Sequence, residues 1–250
     1  NGLAGATRSR ATEQEQQRPD TIQHIRNIMN DTNEILSLPH APIAEKSLLS
    51  LGMQNLSLIH FDLAIVDPPY GIGISGQKES KRGKQSDRKL HEEKGWDKAI
   101  PSAEYFHELK RVTKHQIIWG ANYFVEHLIH GSKGWIVWDK GQHGLTMSDC
   151  ELAYSSFDRA TRVKIMNRVE LMKEGTIHPT QKPAKLYAWI LANYATPGMR
   201  VLDTHLGSGS HAIACHYAGM HLTACEIDPD YFAAASERIE RETSQASFNL

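Results

Sequence analysis

Residues 183–242 alternate between segments with helical periodicity and short runs of apolar, partly β-branched residues. Strands separated by helices pair in parallel, because each helix returns the chain along the sheet by a right-handed crossover. We therefore expect an α/β fold with a Rossmann-like, mostly parallel sheet and helices on both faces. The pattern predicts helices at 183–195, 210–218 and 229–242, and strands at 200–203 and 221–226.

The upstream half contains further strand patterns. Phe61–Val66 is a short apolar run that must end by Pro68, as is typical of a buried strand in a parallel sheet. Residues 1–19 are polar and lack apolar periodicity, so we expect a disordered leader followed by a single domain at 20–250. Other strands are expected at 116–119, at 135–138 and once or twice within 150–169, and helices at 20–38 and 102–113.

Composition excludes several classes of protein. Hydrophobic residues make up 40% and charged residues 23% of the 250 residues, which is typical of a globular enzyme, and no apolar run suggests a membrane span. The three cysteines lie far apart without a CxxC pair, so we expect neither a disulfide framework nor a metal site, and a cytoplasmic setting fits. At a net charge of -1, any binding to nucleic acid has to depend on local basic patches.

One such patch lies in residues 71–98. Three glycines open this segment, which carries eight Lys or Arg residues and too few apolar residues to pack. We expect a long mobile loop, and loops of this length are usually functional or disordered. A solvated, passive insertion is the alternative to a nucleic-acid contact. The candidates for that contact are Lys81, Arg82, Lys84 and Arg88.

A carboxylate, a glycine turn and a helix start follow the predicted strand at 200–203. Gly207 and Gly209 allow a sharp turn and let a ligand lie against the main chain. Glu226 ends the next strand, 23 residues after Asp203, which is the spacing at which nucleotide-binding folds place a carboxylate on ribose hydroxyls. A GxGxxG pattern and a Walker lysine are missing, which disfavours dinucleotides and triphosphates. The pattern favours an adenosine-containing sulfonium cofactor over a turn that merely connects a strand to a helix.

The tetrapeptide Asp67-Pro68-Pro69-Tyr70 follows the predicted strand at 61–66, at the end where open α/β sheets bind ligands. An exocyclic amine on a nucleobase is a poor nucleophile, because its lone pair is delocalised into the ring. The Asp67 carboxylate and the Pro68 carbonyl can accept hydrogen bonds from such an amine, and the fixed φ of the prolines aims that carbonyl. Tyr70 offers a ring on which a base removed from the duplex can stack. A Pro-Pro turn capped by Asp67 is the alternative.

Three motifs in this order resemble the β-class amino-methyltransferases of DNA, which include restriction–modification enzymes: Asp67–Tyr70, the HPTQKP segment His178–Pro183, and Asp203–Ser210. The resemblance implies S-adenosylmethionine as methyl donor, the N6 amine of a flipped adenine in double-stranded DNA as target, a circularly permuted motif order and often a homodimer. It implies that Asp67, Pro68, Pro69 and Tyr70 are catalytic. The residues implied to contact the cofactor are Thr180, Lys182, Asp203, Gly207, Ser208, Gly209 and Glu226.

Two features depart from the family pattern. Thr204 and His205 stand where Pro and Phe are commonest, and residues 44–49 lack the Gly-Asp-Cys-Leu-like strand end that helps hold the cofactor's adenine. Asp67 before Pro-Pro favours adenine N6 over cytosine N4, but an N4-cytosine enzyme and an RNA adenine-N6 methyltransferase stay open as alternatives. Residues 139–177 are the candidate target-recognition region.

Other conspicuous side chains receive mainly structural interpretations. His178 is expected to be structural, because a methylated amine can release its proton to solvent without a dedicated base. Trp96-Asp97 ends the basic loop and is expected to anchor it, with closure of a pocket as a second role. The indoles at 135 and 138 are expected to pack in the core or at its rim, and Asn122 stays open as a pocket residue.

If the basic loop clamps DNA, neutralising Lys81, Arg82 and Lys84 together weakens binding similarly for all sequences. The slope of log affinity against log salt then falls by up to about 0.9 per lost phosphate contact, because fewer counterions are released. Fluorescence anisotropy on target and scrambled duplexes at several salt concentrations measures both effects. An unchanged slope makes the loop a passive insertion, and a loss confined to the target sequence makes it a base reader.

Overall fold

The computed structural model describes residues 35–37, 60–74, 95–128, 131–144, 148–167 and 175–244. Within these ranges the chain forms strands and helices in the order β1 (Ile35–Ser37), β2 (Phe61–Val66), α1 (Ala103–Val112), β3 (Thr113–Trp119), β4 (Trp135–Asp139), β5 (Cys150–Ser155), β6 (Arg162–Ile165), α2 (Ala184–Tyr194), β7 (Arg200–Asp203), α3 (Ser210–Tyr217), β8 (His221–Cys225) and α4 (Pro229–Ser244). Two short 3₁₀ turns, Ala121–Tyr123 and Val125–His127, follow β3. None of the helices in the described ranges is long and apolar enough to cross a membrane.

The described strands form one sheet in the order β1-β8-β7-β2-β3-β5-β4-β6. The four central strands, β8, β7, β2 and β3, are parallel to one another. Antiparallel pairing occurs towards the edges, between β1 and β8 and where β5 pairs with β3 and β4. The expectation of a mostly parallel sheet is confirmed.

The central strand β2 shows why the sheet is covered on both faces. Successive side chains of a strand point to opposite faces. Leu63 and Ile65 pack in a core cluster that also contains buried side chains of α2, α3 and α4. Ala64 and Val66 pack in a second cluster on the other face, which contains buried side chains of α1. The predicted helices on both faces are therefore present.

Strand order brings distant parts of the sequence to one edge. β2 lies directly between β3 and β7, with Leu63 in register with Val201. Because β8, β7, β2 and β3 are parallel, the residues that follow them meet at the carboxyl edge of the sheet. This edge carries the tetrapeptide after β2, Gly120 after β3, the glycine turn after β7 and Glu226 after β8. The motif that comes first in the chain thus lies beside the one that comes last.

Two predicted boundaries are wrong. Ile35–Ser37 belongs to an edge strand antiparallel to β8, not to a helix at 20–38, and the rest of that predicted helix lies outside the described residues. Pairing with the open edge of β8 supplies backbone hydrogen bonds that local periodicity does not reveal. The strand predicted at 116–119 begins at Thr113, immediately after α1. The Thr113 hydroxyl donates to the Leu109 carbonyl at 2.6 Å and so closes the helix end.

Candidate active site

A cleft opens at the carboxyl ends of β2, β7 and β8, with a cavity volume of about 80 Å³. All three sequence motifs, Asp67–Tyr70, His178–Pro183 and Asp203–Ser210, contribute residues to its walls. Two of the four predicted catalytic residues, Asp67 and Pro69, line it, whereas Pro68 and Tyr70 do not. The predicted cofactor contacts that line it are Thr180, Lys182, Gly207, Ser208 and Glu226.

A larger cavity of about 730 Å³ lies elsewhere, at the amino end of β3, and Lys110, Thr113, His115 and Phe157 are among its walls. Open α/β sheets bind ligands at the carboxyl ends of their strands, and none of the three motifs contributes to this larger cavity. The candidate active site is therefore the smaller cleft.

Asp67 is held by two side chains that the sequence places far apart. The Tyr70 hydroxyl donates to Oδ1 at 2.7 Å, and the Lys182 ammonium donates to Oδ2 at 2.5 Å. Burial raises the pKa of Asp67, and the charge of Lys182 opposes part of that rise. The carboxylate is thus fixed in direction and paired with a cation.

Lys182 is the most enclosed charge of the cleft, with 2% of its side chain exposed. Its Nζ lies 3.2 Å from Glu151 Oε2 and 5.1 Å from the centre of the Trp119 ring. Burial opposes its charge, but Asp67 and Glu151 outweigh that effect and raise the pKa of Lys182. The side chain expected to contact the cofactor therefore lies directly against the carboxylate that is predicted to be catalytic.

Glu151 was not singled out in the sequence. It belongs to β5, and its other carboxylate oxygen, Oε1, lies 2.9 Å from Lys140 Nζ. Burial alone would raise the pKa of Glu151, but the two lysines lower it. The only sequence signal was a lone acidic residue in an otherwise strand-like segment.

Tyr70 packs closely between main chain and a second ring. Gly120 has φ of +67°, and a Cβ there would overlap the Tyr70 ring. The ring of Tyr123 stacks on Tyr70 with centroids 5.0 Å apart and planes 15° apart, and 43% of Tyr123 is exposed. The neighbouring Asn122 is exposed and does not line the cleft. An exposed aromatic side chain thus adjoins the ring predicted to stack the target base.

Glu226 organises the glycine turn. Its Oε2 accepts a hydrogen bond from the Gly207 amide at 2.7 Å, and its Oε1 accepts one from the Asp228 amide at 3.0 Å. Burial raises the pKa of Glu226, and these two amides counteract the rise. A carboxylate has about four lone-pair sites, so two stay available for ligand hydroxyls.

Asp203 lies behind the turn instead of in the cleft. Its Oδ1 accepts from the His205 amide at 3.0 Å, and its Oδ2 pairs with His211 Nδ1 at 2.8 Å. Asp203 and Gly209 do not line the cleft, although both were predicted to contact the cofactor. A Cβ at Gly209 would come within 2.9 Å of Ile239, so this glycine permits close packing of α4.

His211 is the partner of Asp203 that sequence spacing did not reveal. It is 1% exposed and stacks on the Tyr187 ring with centroids 4.8 Å apart. Burial opposes its protonation, but Cys215 and Asp203 outweigh that effect and raise the pKa of His211 to about 10. The buried pair gives the glycine turn a rigid foundation.

The base of the loop at 71–98 is held by Asp97, as predicted. This carboxylate is completely buried and accepts hydrogen bonds from the amides of Gly71 at 2.8 Å and Ile74 at 2.9 Å. Its carbonyl accepts a third from Gly73 at 3.0 Å. The residues that follow Tyr70 are thus joined to those that end the loop. Lys81, Arg82, Lys84 and Arg88 lie outside the described residues.

The remaining aromatic and histidine predictions concern packing. His178 lies 5.2 Å from Trp96 and 4.4 Å from Tyr231, measured between ring centroids, and its Nδ1 lies 3.1 Å from Thr180 Oγ1. These contacts pack the His178 ring, but both His178 and Trp96 also line the cleft, so a purely structural role for His178 stays a prediction. The Trp138 side chain is buried in the first core cluster, whereas Trp135 is partly buried and packs against the edge of the second. The described parts of 139–177 include the last residue of β4, the strands β5 and β6 and the loops beside them.

A protein-family model described as DNA methylase, for N6 and N4 methyltransferases, matches residues 116–237, which are just under half of the chain. The matched part contains the HPTQKP segment, the glycine turn and Glu226, whereas Asp67 precedes it. The match supports the resemblance to DNA methylases and does not separate adenine from cytosine as the target.

Comparisons with individual proteins show only partial or distant similarity. The type II methyltransferase M.HpaI of Haemophilus parainfluenzae is 34% identical over 65 residues, which are 26% of this chain and 21% of that protein. The chain therefore spans about a fifth of the length of this relative. M1.HpyAVI, in its complex with SAM, has 18% identity and a TM-score of 0.48, covering 72% of this chain and 89% of its own. The cytosine-N4-specific PvuII DNA methyltransferase has 13% identity and a TM-score of 0.48, covering 77% and 86%.

The His211–Asp203 pair predicts a pH-dependent stability. The pKa of His211 is raised from 6.5 to about 10 on folding, so its stabilising contribution is complete below pH 6.5 and is lost as the pH rises through 10. Denaturant unfolding between these limits is expected to show a decline on the order of a few kcal/mol that is smaller in His211→Gln. The exposed His107→Gln is the matched control. Equal declines in the wild type and His211→Gln would contradict the assignment.

Proposed function

We propose that the protein transfers a methyl group from S-adenosylmethionine to the N6 amine of an adenine flipped out of double-stranded DNA. The observation that carries the proposal is the shared cleft, in which the Asp67 carboxylate and the Glu226 carboxylate line one cavity at the carboxyl edge of the sheet. Methyl transfer requires an amine-holding group and a cofactor-holding group to face the same space.

The donor groups around Glu226 suit an adenosine moiety. The two lone-pair sites left on Glu226 can accept ribose hydroxyls, and Gly207 leaves its backbone uncovered by a side chain. The cofactor side of the cleft presents the carboxylates of Glu226 and Asp228, and its one lysine is paired with carboxylates. A sulfonium group matches such surroundings, and when bound it supplies an electrophilic methyl group.

Asp67 suits the target amine. Tyr70 and Lys182 each occupy one lone pair on separate oxygens, which leaves lone pairs that can accept an N–H from the base. Such a bond favours a tetrahedral nitrogen, whose lone pair can attack the methyl group. Because the carboxylate is fixed before the base arrives, little reorganisation remains for the reaction itself.

Tyr70 and Tyr123 suit the flipped base. Stacking on an aromatic ring is worth about 1–3 kcal/mol per base, which offsets much of the few kcal/mol that flipping costs. Tyr70 is already in close contact with Gly120 and stacked by Tyr123, so Tyr123 has to move aside before a base can stack on the face of Tyr70 that it covers. DNA as substrate and a homodimeric state stay predictions from the resemblance.

The aspartate before Pro-Pro favours adenine, and product analysis tests that choice. The wild type is expected to produce N6-methyladenine in duplex DNA, detected by mass spectrometry of nucleosides. Asp67→Ala is expected to abolish the product while calorimetric affinity for S-adenosylmethionine changes by less than about threefold, under 1 kcal/mol. The exposed Asp158→Ala is the control. N4-methylcytosine, methylated RNA alone, or an active Asp67→Ala variant would each overturn the proposal.

Glu226→Ala is expected to weaken binding of S-adenosylmethionine by about 1.5–3 kcal/mol, the range for hydrogen bonds to a charged group. Isothermal titration calorimetry measures the change, and Glu237→Ala, an exposed carboxylate of α4, provides the comparison. Unchanged affinity in Glu226→Ala would move the ribose contact to another residue.

A further inference from the structure

The carboxylate of Glu151 bridges two lysines at the edge of the cleft. Lys182 lies 3.2 Å from one of its oxygens and Lys140 lies 2.9 Å from the other. Only 24% of the Glu151 side chain and 13% of the Lys140 side chain are exposed, so the bridge is largely shielded from water. Neither the sequence patterns nor the proposed function gives Glu151 a role.

Among the described residues, the ammonium of Lys182 has three acceptors within reach, one for each hydrogen that it can donate. An ammonium carries three N–H donors. The acceptors are Asp67 at 2.5 Å, the Tyr70 hydroxyl at 3.2 Å and Glu151 at 3.2 Å. Removing Glu151 would leave one buried N–H without its acceptor, and the remaining two contacts would no longer fix the ammonium in three directions.

Charge balance gives Glu151 a second effect. As the new N–C bond forms and the S–C bond breaks, the amine nitrogen gains positive charge, which it loses when a proton leaves to solvent. A buried cation beside that nitrogen opposes the change, and Asp67 alone only neutralises Lys182. Glu151 places a second negative charge 3.2 Å from Lys182 in a poorly hydrated region, where charges interact more strongly than in water. Lys140 pairs with the other oxygen of Glu151, so the two carboxylates and two ammonium groups are neutral together, whereas Glu151→Gln would leave them with a net positive charge.

We propose that Glu151 is a positioning residue of the methyl-transfer site, which acts through Lys182 by holding its ammonium on Asp67 and offsetting its charge. This inference rests on the proposed function. Glu151 does not line the cleft, so we expect it to contact neither S-adenosylmethionine nor the target base directly. Its effect is therefore expected in the rate of the chemical step and not in the binding of cofactor or DNA.

The test compares Glu151→Gln, which keeps the shape and removes the charge, with Glu151→Asp, which keeps the charge and shortens the reach. In Glu151→Gln, single-turnover methylation is expected to slow by at least about tenfold. A tenfold slowing corresponds to an increase of about 1.36 kcal/mol in the activation free energy. KM for DNA and Kd for S-adenosylmethionine are expected to change by less than about threefold. Glu151→Asp is expected to be the more active of the two variants, although Gln has the closer shape.

A double-mutant cycle with Lys182→Met tests whether Glu151 acts through Lys182. The double variant Glu151→Gln/Lys182→Met is expected to be no slower than Lys182→Met alone, because the effect requires the ammonium. Glu108→Gln is the matched control, since it breaks a solvent-accessible ion pair with Arg111. Additive losses, or Glu151→Gln at the wild-type rate, would overturn the inference.

Two further results keep the test decisive. If Glu151→Gln fails to fold, Glu151→Asp is compared with Lys140→Met, which leaves the Glu151 charge on Lys182. The inference then requires a slower chemical step in Glu151→Asp with unchanged cofactor affinity, and equal or larger slowing in Lys140→Met contradicts it. A wild type that methylates no base refutes the proposed function itself, whereas an active wild type with indifferent Glu151 variants refutes only this inference.

Discussion

A buried ammonium joins the separate parts of the candidate active site. Lys182 belongs to the HPTQKP segment before α2, yet it contacts the Asp67 carboxylate after β2 and the Glu151 carboxylate of β5. Bringing a charge into a protein interior costs several kcal/mol unless it is paired and fully hydrogen-bonded. Each partner therefore helps to hold Lys182 in place, so the pairing links the geometry of the Asp67 motif to correct assembly of the sheet.

Sheet topology makes that pairing possible. β2 lies between β3 and β7, so the residue after each strand meets its neighbours at one edge. The same edge is rigid on the cofactor side, where Asp203 is held by His211 and Glu226 by two backbone amides. The carboxylates that we propose to hold the amine and the ribose are thus both fixed before any ligand binds, which would keep reorganisation during the proposed methyl transfer small.

The parts that local patterns determine could be predicted from the sequence. Strand–helix alternation predicted the parallel sheet, and turns after apolar strands drew attention to Asp67 and Glu226, which line one cleft. Partners set by strand order could not be predicted in this way. Glu151 meets Lys182 because β5 pairs with β3, and β1 forms because β8 offers an open edge. Nothing within a few residues of Glu151 or of Ile35–Ser37 encodes those neighbours, since tertiary pairing determines them.

The departure at Thr204 and His205 shows how the turn keeps its shape without a proline. Proline would restrict φ by its ring, whereas here side chains hold the turn. Thr204 Oγ1 lies 2.7 Å from the Tyr105 hydroxyl of α1 and 2.9 Å from His205 Nδ1. Tyr105 is completely buried, so its hydroxyl is held in place by the packed core around it. Because His205 also lines the cleft, this chain of hydrogen bonds connects the core under α1 to the wall of the cofactor site. Rigidity that a proline supplies locally is thus obtained from packing across the sheet.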